Sequence, residues 1–225
     1  MQSRPPGPGA PGMALPVKNP PAWRDRTVLV SSLLLIVGGS WAYLLTGSSM
    51  PLDMGGMMTL GQPVHWSAGH AGAIFIMWAV MMAAMMLPSA APMILFYATI
   101  ARRNRAKGGT GGAPAIFIAA YLAVWVSFSL GATALQFILE SLSLLSATMA
   151  TTSVYLAAAV LIGAGLYQWS SLKQACLQHC RSPLEFVLSY WREGARGAFA
   201  MGLRHGAYCL GCCWMLMLLL FVGGV

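Results

Sequence analysis

Five long apolar stretches alternate with shorter polar segments along the chain. They cover about residues 27–46, 71–100, 114–139, 152–170 and 206–225. Each is near the roughly 20 residues that cross a bilayer as a helix. The second stretch is longer and contains Pro88 and Pro92, which favour a kink. The pattern predicts an all-α fold, a polytopic transmembrane helical bundle of about five helices that occupies residues 23–225.

Residues 171–205, between the last two stretches, show a different pattern. Apolar side chains at helical spacing stand beside charged ones there, as at Leu184, Val187, Leu188 and Trp191. This arrangement is typical of a short amphipathic helix that lies at a membrane interface. Pro183 suits the first position of such a helix. We therefore expect 171–205 to be an interfacial segment on the side where the last helix begins.

The N-terminal tail, residues 1–22, holds seven of the thirteen prolines. A segment of this composition cannot bury a core, so we expect it to be disordered. Arg24 and Arg26 directly precede the first apolar stretch, and no small-residue cleavage site follows that stretch. The first helix is therefore interpreted as an uncleaved signal anchor.

Composition and charge agree with a membrane protein. Hydrophobic residues make up 58% of the chain and charged residues 8%, whereas a soluble domain has roughly 25% charged residues. All thirteen Lys and Arg lie in the tail, the loop after the second helix or the segment after the fourth, and residues 47–70 and 140–151 have none. The positive-inside rule then predicts a multi-pass protein of the bacterial inner membrane with its N-terminus in the cytoplasm. This distribution explains the net charge of +8 without nucleic acid as a partner.

The strongest chemical signal is a cysteine and histidine pattern near the C-terminus. His205 and Cys209, and then Cys212 and Cys213, recur at one-turn spacing, which places them on one face of a helix. Upstream, Cys176, His179 and Cys180 form a second group with one-turn spacing, predicted on the same side of the membrane. Thiolates and imidazoles bind soft or borderline ions such as Cu(I) or, alternatively, Zn(II). Packing of small apolar cysteines and thiol redox chemistry are the competing interpretations.

Methionines form a further feature, because thioethers also suit Cu(I). The second helix carries a stripe that could pass copper along, with Met77, Met81 and Met85 on one line and Met82 and Met86 beside it. The loop before it offers possible outer ligands, namely Met50, Met54, Met57, Met58, His65 and His70. Methionine is equally a flexible filler of helix interfaces, so packing remains the alternative for both sets.

At these residues the chain resembles a bacterial family of predicted metal-binding integral membrane proteins, domain of unknown function 2182. The matching stretches are MWAVMMAAMMLPSAAPM at 77–93 and CLQHC to the C-terminus at 176–225. The resemblance implies a membrane helical bundle with a metal site at Cys176, His179, Cys180, His205, Cys209, Cys212 and Cys213. Members of that family continue with a further hydrophobic helix, so the resemblance implies either a shorter chain in this protein or a sixth helix missing after Val225. It implies no reaction.

Copper handling is the leading functional hypothesis, by transfer, storage or delivery to a partner metalloenzyme. One alternative is an accessory subunit of a larger membrane complex, in which the cysteines pack or hold a structural metal ion. The other is a membrane thiol oxidoreductase. The sequence has no Ser/His/Asp set, phosphate loop or paired intramembrane carboxylates, so a role that is not enzymatic is favoured.

Overall fold

The computed structural model describes residues 22–47, 66–145 and 150–224. Within these ranges the chain forms eight helices and no strand, which confirms the all-α prediction for this part of the protein. The helices are α1 (Ala22–Gly47), α2 (Ala68–Ala106), α3 (Pro114–Ser141), α4 (Val154–Gln168), α5 (Ser171–Arg181), α6 (Pro183–Tyr190), α7 (Gly194–Leu218) and α8 (Leu220–Gly223). Most of the tail at 1–22 lies outside the described residues.

Four helical segments are long and apolar enough to cross a bilayer. They are Arg26–Thr46 in α1, all of α2, all of α3, and Gly194–Gly223, which joins α7 and α8. α4 has 15 residues, about 22 Å at the rise of an α-helix, which is shorter than a bilayer core of about 30 Å. It continues into α5 with a bend of 63°, and the pair counts as a fifth span if it is taken as one broken helix.

Residues 171–205, which we predicted to form an interfacial segment with one short amphipathic helix, belong to three helices. These are α5, α6 and the first three turns of α7, and α5 packs along α7. α6 begins at Pro183 as predicted, and it buries Phe186 and Val187 while Leu184 and Leu188 are exposed.

The last long helix begins twelve residues before the predicted start at 206. The reason is that Arg196 and Arg204, which lower the hydropathy of this stretch, are both exposed. Small residues on the opposite face, among them Ala198 and Gly202, are buried against the bundle. The early turns of α7 are therefore amphipathic rather than apolar. As a consequence, the cysteines of α7 lie fifteen residues and more from its first residue, not at its start.

The core is formed where α3 packs between α7 and α2. Its largest fully buried side chains include Trp78, Tyr97, Phe117, Tyr121 and Trp125. α3 and α7 approach closely because α7 presents glycines at four-residue spacing. A Cβ atom on Gly202 would lie 2.3 Å from the carbonyl oxygen of Phe117, and one on Gly206 would lie 2.8 Å from Cγ2 of Val124. This small-xxx-small arrangement is typical of helix contacts in membranes.

A chain of hydrogen bonds joins α2 to the end of α3. The indole N–H of Trp78 donates to Gln136 Oε1 (2.9 Å), and Gln136 Nε2 donates to Glu140 Oε1 (2.8 Å). The indole N–H of Trp66 donates to the second oxygen of Glu140 (2.9 Å). Trp78 and Gln136 are fully buried, so this chain supplies the partners that buried polar groups need.

At the opposite end of α3, two basic segments come together. Glu193 accepts hydrogen bonds from Asn104 Nδ2 (3.0 Å) and from Thr110 Oγ1 (3.2 Å). These bonds, first of all the one from Asn104, lower the pKa of the Glu193 carboxyl below its ordinary value. They hold the end of α2 and the start of α7 side by side. The arginines that were predicted to follow the second helix lie within the last turns of α2, and they are at the same end of the bundle as Arg192 and Arg196.

Candidate metal centre

Three cysteines of α7 form the centre of the candidate site. The Sγ atoms of Cys209, Cys212 and Cys213 all lie within 4.8 Å of one another. This follows from their spacing, because residues three and four apart share one face of a helix. Cys209 and Cys212 are buried and Cys213 is half-buried. The predicted grouping of these thiols is therefore present in the structure.

Cys180 on α5 adds a fourth sulfur from a second helix. Its Sγ lies 4.0 Å from Sγ of Cys212, and the residue is half-buried. α5 reaches α7 because Gly211 has no side chain: a Cβ there would lie 2.7 Å from Sγ of Cys176. The Tyr167 hydroxyl, near the end of α4, also donates to the carbonyl of Gly211. We call Cys180, Cys209, Cys212 and Cys213 the sulfur cluster.

The donor atoms of the sulfur cluster suit a soft metal ion. Two sulfurs bound to one tetrahedral ion at about 2.3 Å are about 3.8 Å apart, close to the 4.0 Å between Cys180 and Cys212. Cys180 lies next to Cys212 but outside the group of three sulfurs that are all within 4.8 Å of one another. Cys212 and Cys213 are nearer, with 3.2 Å between their sulfurs. All five cysteines are free thiols, and the group contains no carboxylate. Such a donor set suits Cu(I) or Zn(II) rather than a hard cation.

Two predicted ligands on α5 lie outside this group. Cys176 faces Gly211. His179 has its Nδ1 at 2.9 Å from the carbonyl oxygen of Ala175 and its Nε2 at 3.5 Å from the hydroxyl of Tyr190. Its ring stacks on Tyr208, with 4.3 Å between the centroids. In this arrangement His179 connects α5 to α6 and α7, and neither of its nitrogens faces a sulfur.

His205 lies one turn before Cys209 and is only 3% exposed. Its ring is surrounded by the rings of Phe117, Tyr121 and Phe186, with centroids 5.5–6.0 Å away. Its Nδ1 atom is buried and has no hydrogen-bond partner within the described residues. The structure thus places an unpartnered imidazole beside the sulfur cluster, in an aromatic pocket rather than within the group of sulfurs.

Tyr121 is a candidate that the sequence analysis missed. It is fully buried on α3, and its hydroxyl oxygen lies 3.3 Å from Sγ of Cys209. The same hydroxyl donates to the carbonyl oxygen of Met86 on α2, at 3.0 Å. The signal that could have identified it is a tyrosine within an apolar span, since a buried phenol needs a hydrogen-bond partner.

Only some of the predicted methionine and histidine ligands lie within the described residues. Met50, Met54, Met57, Met58 and His65 lie outside them. His70 is in the first turn of α2, where its ring packs edge-on against Trp66 and its Nε2 is buried without a partner in the described part of the chain.

Within α2, the predicted stripe divides by burial. Met81, Met82 and Met86 are buried, whereas Met77 and Met85 are half-buried. Met82 and Met86 continue the line of Trp78, whose indole N–H contacts α3. The predicted transfer stripe therefore includes three buried methionines and two half-buried ones, and its role in copper transfer stays a prediction.

Comparison with known proteins identifies one family. Residues 75–225, more than half of the chain and including all five cysteines, match a family described as PpoB2, copper chaperone. No curated protein and no solved structure matches the chain.

Proposed function

The chain belongs to the PpoB2 family of copper chaperones, and from that premise we propose that its sulfur cluster binds Cu(I) and delivers it to a partner metalloenzyme. The observation that carries this proposal is the group of three thiols formed by Cys209, Cys212 and Cys213 on α7, with Cys180 of α5 next to Cys212. Thiolates are the soft ligands that select Cu(I) in proteins. Zn(II) would also accept four thiolates, and the family description favours copper.

The proposed location is the bacterial inner membrane, with several passes and the N-terminus in the cytoplasm. Four or five helical segments have the length and apolar composition of spans. The bonds of Glu193 to Asn104 and Thr110 hold two basic segments at one end of the bundle, as expected for the cytoplasmic end. The lipid bilayer is then the first partner of the protein, and other membrane subunits can join it there.

The remaining predicted ligands belong to this proposal as an accessory route. His70 and the methionines before it would capture copper outside, and the methionines of α2 would lie between that loop and the sulfur cluster. Support comes from the burial of Met82 and Met86 in the core. Thioethers hold Cu(I) more weakly than thiolates do, so transfer would proceed toward the sulfur cluster.

The test is copper binding by the purified protein in detergent, under anaerobic and reducing conditions. Copper per chain would be measured by elemental analysis after Cu(I) loading and removal of the excess. We expect the triple variant Cys209→Ser, Cys212→Ser, Cys213→Ser to lose the bound copper, because one sulfur of the cluster remains. Cys176→Ser is the matched control and should keep it, since Cys176 is the cysteine outside the cluster.

Two results would contradict the proposal. One is equal copper content in the triple variant and in the unaltered protein. The other is stoichiometric zinc that Cu(I) does not displace, which would favour a structural zinc site in a larger membrane complex.

A further inference from the structure

A cavity with two arginines lies where α6 joins α7, at the end of the bundle where the basic segments meet. Its volume is about 90 Å³, several times the roughly 10–15 Å³ that one water molecule needs. The residues that line it are Tyr190, Arg192, Ala200, Met201 and Arg204. Two guanidinium groups and a phenol ring thus border a space for a group larger than water.

The two arginines of this cavity have no anionic partner within the described residues. Neither guanidinium donates a hydrogen bond or forms an ion pair in that part of the chain. Glu193, the carboxylate next to Arg192 in the sequence, is already engaged, because it accepts hydrogen bonds from Asn104 and Thr110. Guanidinium N–H groups match phosphate oxygens in pairs. The cavity therefore suits a phosphate group.

The ring of Tyr190 holds Arg204 in place. The Cζ atom of Arg204 lies 4.3 Å from the centroid of that ring, as in a cation–π contact. The phenol is itself fixed, because its hydroxyl oxygen lies 3.2 Å from that of Tyr208 and 3.5 Å from Nε2 of His179. Stacking on a fixed ring limits the rotamers of Arg204 and leaves its N–H groups free for a ligand. Binding then costs less side-chain entropy.

The cavity lies at the depth of lipid headgroups when the last span crosses the bilayer as proposed. That span, Gly194–Gly223, has 30 residues. At the rise of an α-helix this length is about 45 Å. The part from Arg204 to Gly223 measures about 29 Å, close to the roughly 30 Å of a bilayer core. Arg204 therefore lies at the boundary of the core, and Arg192 lies further out.

Exposed apolar side chains on the same two helices favour a lipid over a free anion. Leu184 and Leu188 on α6 are exposed, and so is Phe199, the residue before Ala200 on α7. Acyl chains cover such side chains at a membrane interface, whereas their contact with water is unfavourable. A phospholipid offers both parts, a phosphate for the arginines and acyl chains for these apolar residues.

We infer that this cavity binds the phosphate of an anionic phospholipid of the cytoplasmic leaflet, through the guanidinium groups of Arg192 and Arg204. Basic pockets between membrane helices on the cytoplasmic side bind headgroups in this way. The inference goes beyond the proposed function. It uses the proposed position of this end of the bundle in the membrane, and it does not depend on copper.

The experiment measures lipid binding by the purified full-length protein in detergent, with native mass spectrometry. The probe is dioleoyl phosphatidylglycerol, and the lipid control is dioleoyl phosphatidylcholine, which has the same chains and no net charge. We expect phosphatidylglycerol to bind preferentially. The double variant Arg192→Gln, Arg204→Gln should bind it about tenfold or more weakly, as for loss of hydrogen bonds to a charged group.

The matched control for this variant is Arg103→Gln, Arg181→Gln. It removes the same charge from two exposed positions that do not line the cavity, so it should bind phosphatidylglycerol as the unaltered protein does. Equal loss of binding in the two double variants would refute the site, because general attraction to a basic surface would then explain the binding.

A second pair of variants changes the space and keeps the charge. Ala200→Leu fills the cavity while both arginines remain, so it should also weaken phosphatidylglycerol binding. Ala207→Leu makes the same change at an exposed position of the same helix and should have no effect. This pair provides the test if the double variant does not fold, and equal affinities of A200L and A207L would refute the inference.

Inorganic phosphate distinguishes the two sources of the anion. At millimolar concentration it should not displace phosphatidylglycerol, because it lacks the acyl chains. Displacement by phosphate alone would overturn the assignment to a lipid and would indicate a soluble phosphate compound as the ligand. Copper is absent from all of these measurements, so their outcome is separate from the test of the proposed function.

Discussion

Gly202 sets the distance between α7 and α3, and its replacement by alanine gives a sharp test of the packing. An added Cβ would lie 2.3 Å from the carbonyl oxygen of Phe117 and 2.8 Å from Cβ of Ala120. A carbon and a carbonyl oxygen in contact are about 3.3 Å apart or more. Because the first obstacle is backbone, no side-chain rotation relieves it, and the two helices have to separate by about 1 Å.

Two losses should follow from Gly202→Ala. Overpacking of a well-packed core typically costs about 1–3 kcal/mol. The same displacement carries Cys209 away from Tyr121, whose present separation of 3.3 Å would increase beyond hydrogen-bond distance. We therefore expect a lower melting temperature and weaker Cu(I) binding in the same variant.

The assay is thermal unfolding in detergent by circular dichroism, together with competition for Cu(I) by a chromophoric chelator. Gly131→Ala is the control, because it changes a glycine of α3 that has nothing within 4 Å of an added Cβ. Alanine stabilises a helix interior by up to about 1 kcal/mol relative to glycine, so G131A should melt at the same temperature or higher. Equal melting temperatures and equal copper affinities for G202A and G131A would show that the close contact of α3 and α7 does not prevent a larger residue at position 202.

Two more perturbations test the polar contacts at the two ends of α3. Gln136→Leu leaves the buried indole N–H of Trp78 without an acceptor, so we expect a loss of about 1–3 kcal/mol in thermal or denaturant unfolding; an unchanged melting temperature would contradict the importance of that bond. The pKa of Glu193 is lowered in the folded state, first of all by the hydrogen bond from Asn104. The ionised carboxylate therefore stabilises the fold above the ordinary glutamate pKa. This stabilisation is lost as the pH falls through the pKa of the folded state. Glu193→Gln should therefore flatten the loss of stability measured below about pH 4.3, whereas Glu185→Gln, at an exposed position of α6, should keep the original profile; identical profiles for both variants would refute this.

Local patterns in the sequence predict most of the helical content and part of the candidate site. The long apolar stretches identify α1, α2, α3 and the C-terminal part of α7, because hydropathy is a property of the segment itself. The spacing of Cys209, Cys212 and Cys213 places three thiols on one face for the same reason. Pro183 marks the start of α6 because its ring fixes a helical φ and its missing N–H is not needed there.

Local sequence patterns could not predict the features that depend on contacts between helices. Cys176 and Cys180 are one turn apart, and only the packing of α5 on α7 decides that Cys180 lies next to Cys212. His179 has the spacing of a ligand, yet Tyr190 and Tyr208 engage its ring. Hydropathy alone starts the last helix too late, because Arg196 and Arg204 lower the hydropathy of its first turns although both side chains are exposed.

The two adjacent cysteines of the sulfur cluster have a consequence for the rate at which a metal ion leaves it. Cys212 and Cys213 have sulfurs 3.2 Å apart, closer than the roughly 3.8 Å that two sulfurs keep around one ion. An ion bound by one of them therefore leaves the other uncoordinated beside it. A vacant neighbouring sulfur favours associative ligand exchange, in which a new bond forms before an old one breaks. If the sulfur cluster binds Cu(I) as proposed, we therefore expect it to favour rapid release of the ion to a recipient over long-term retention.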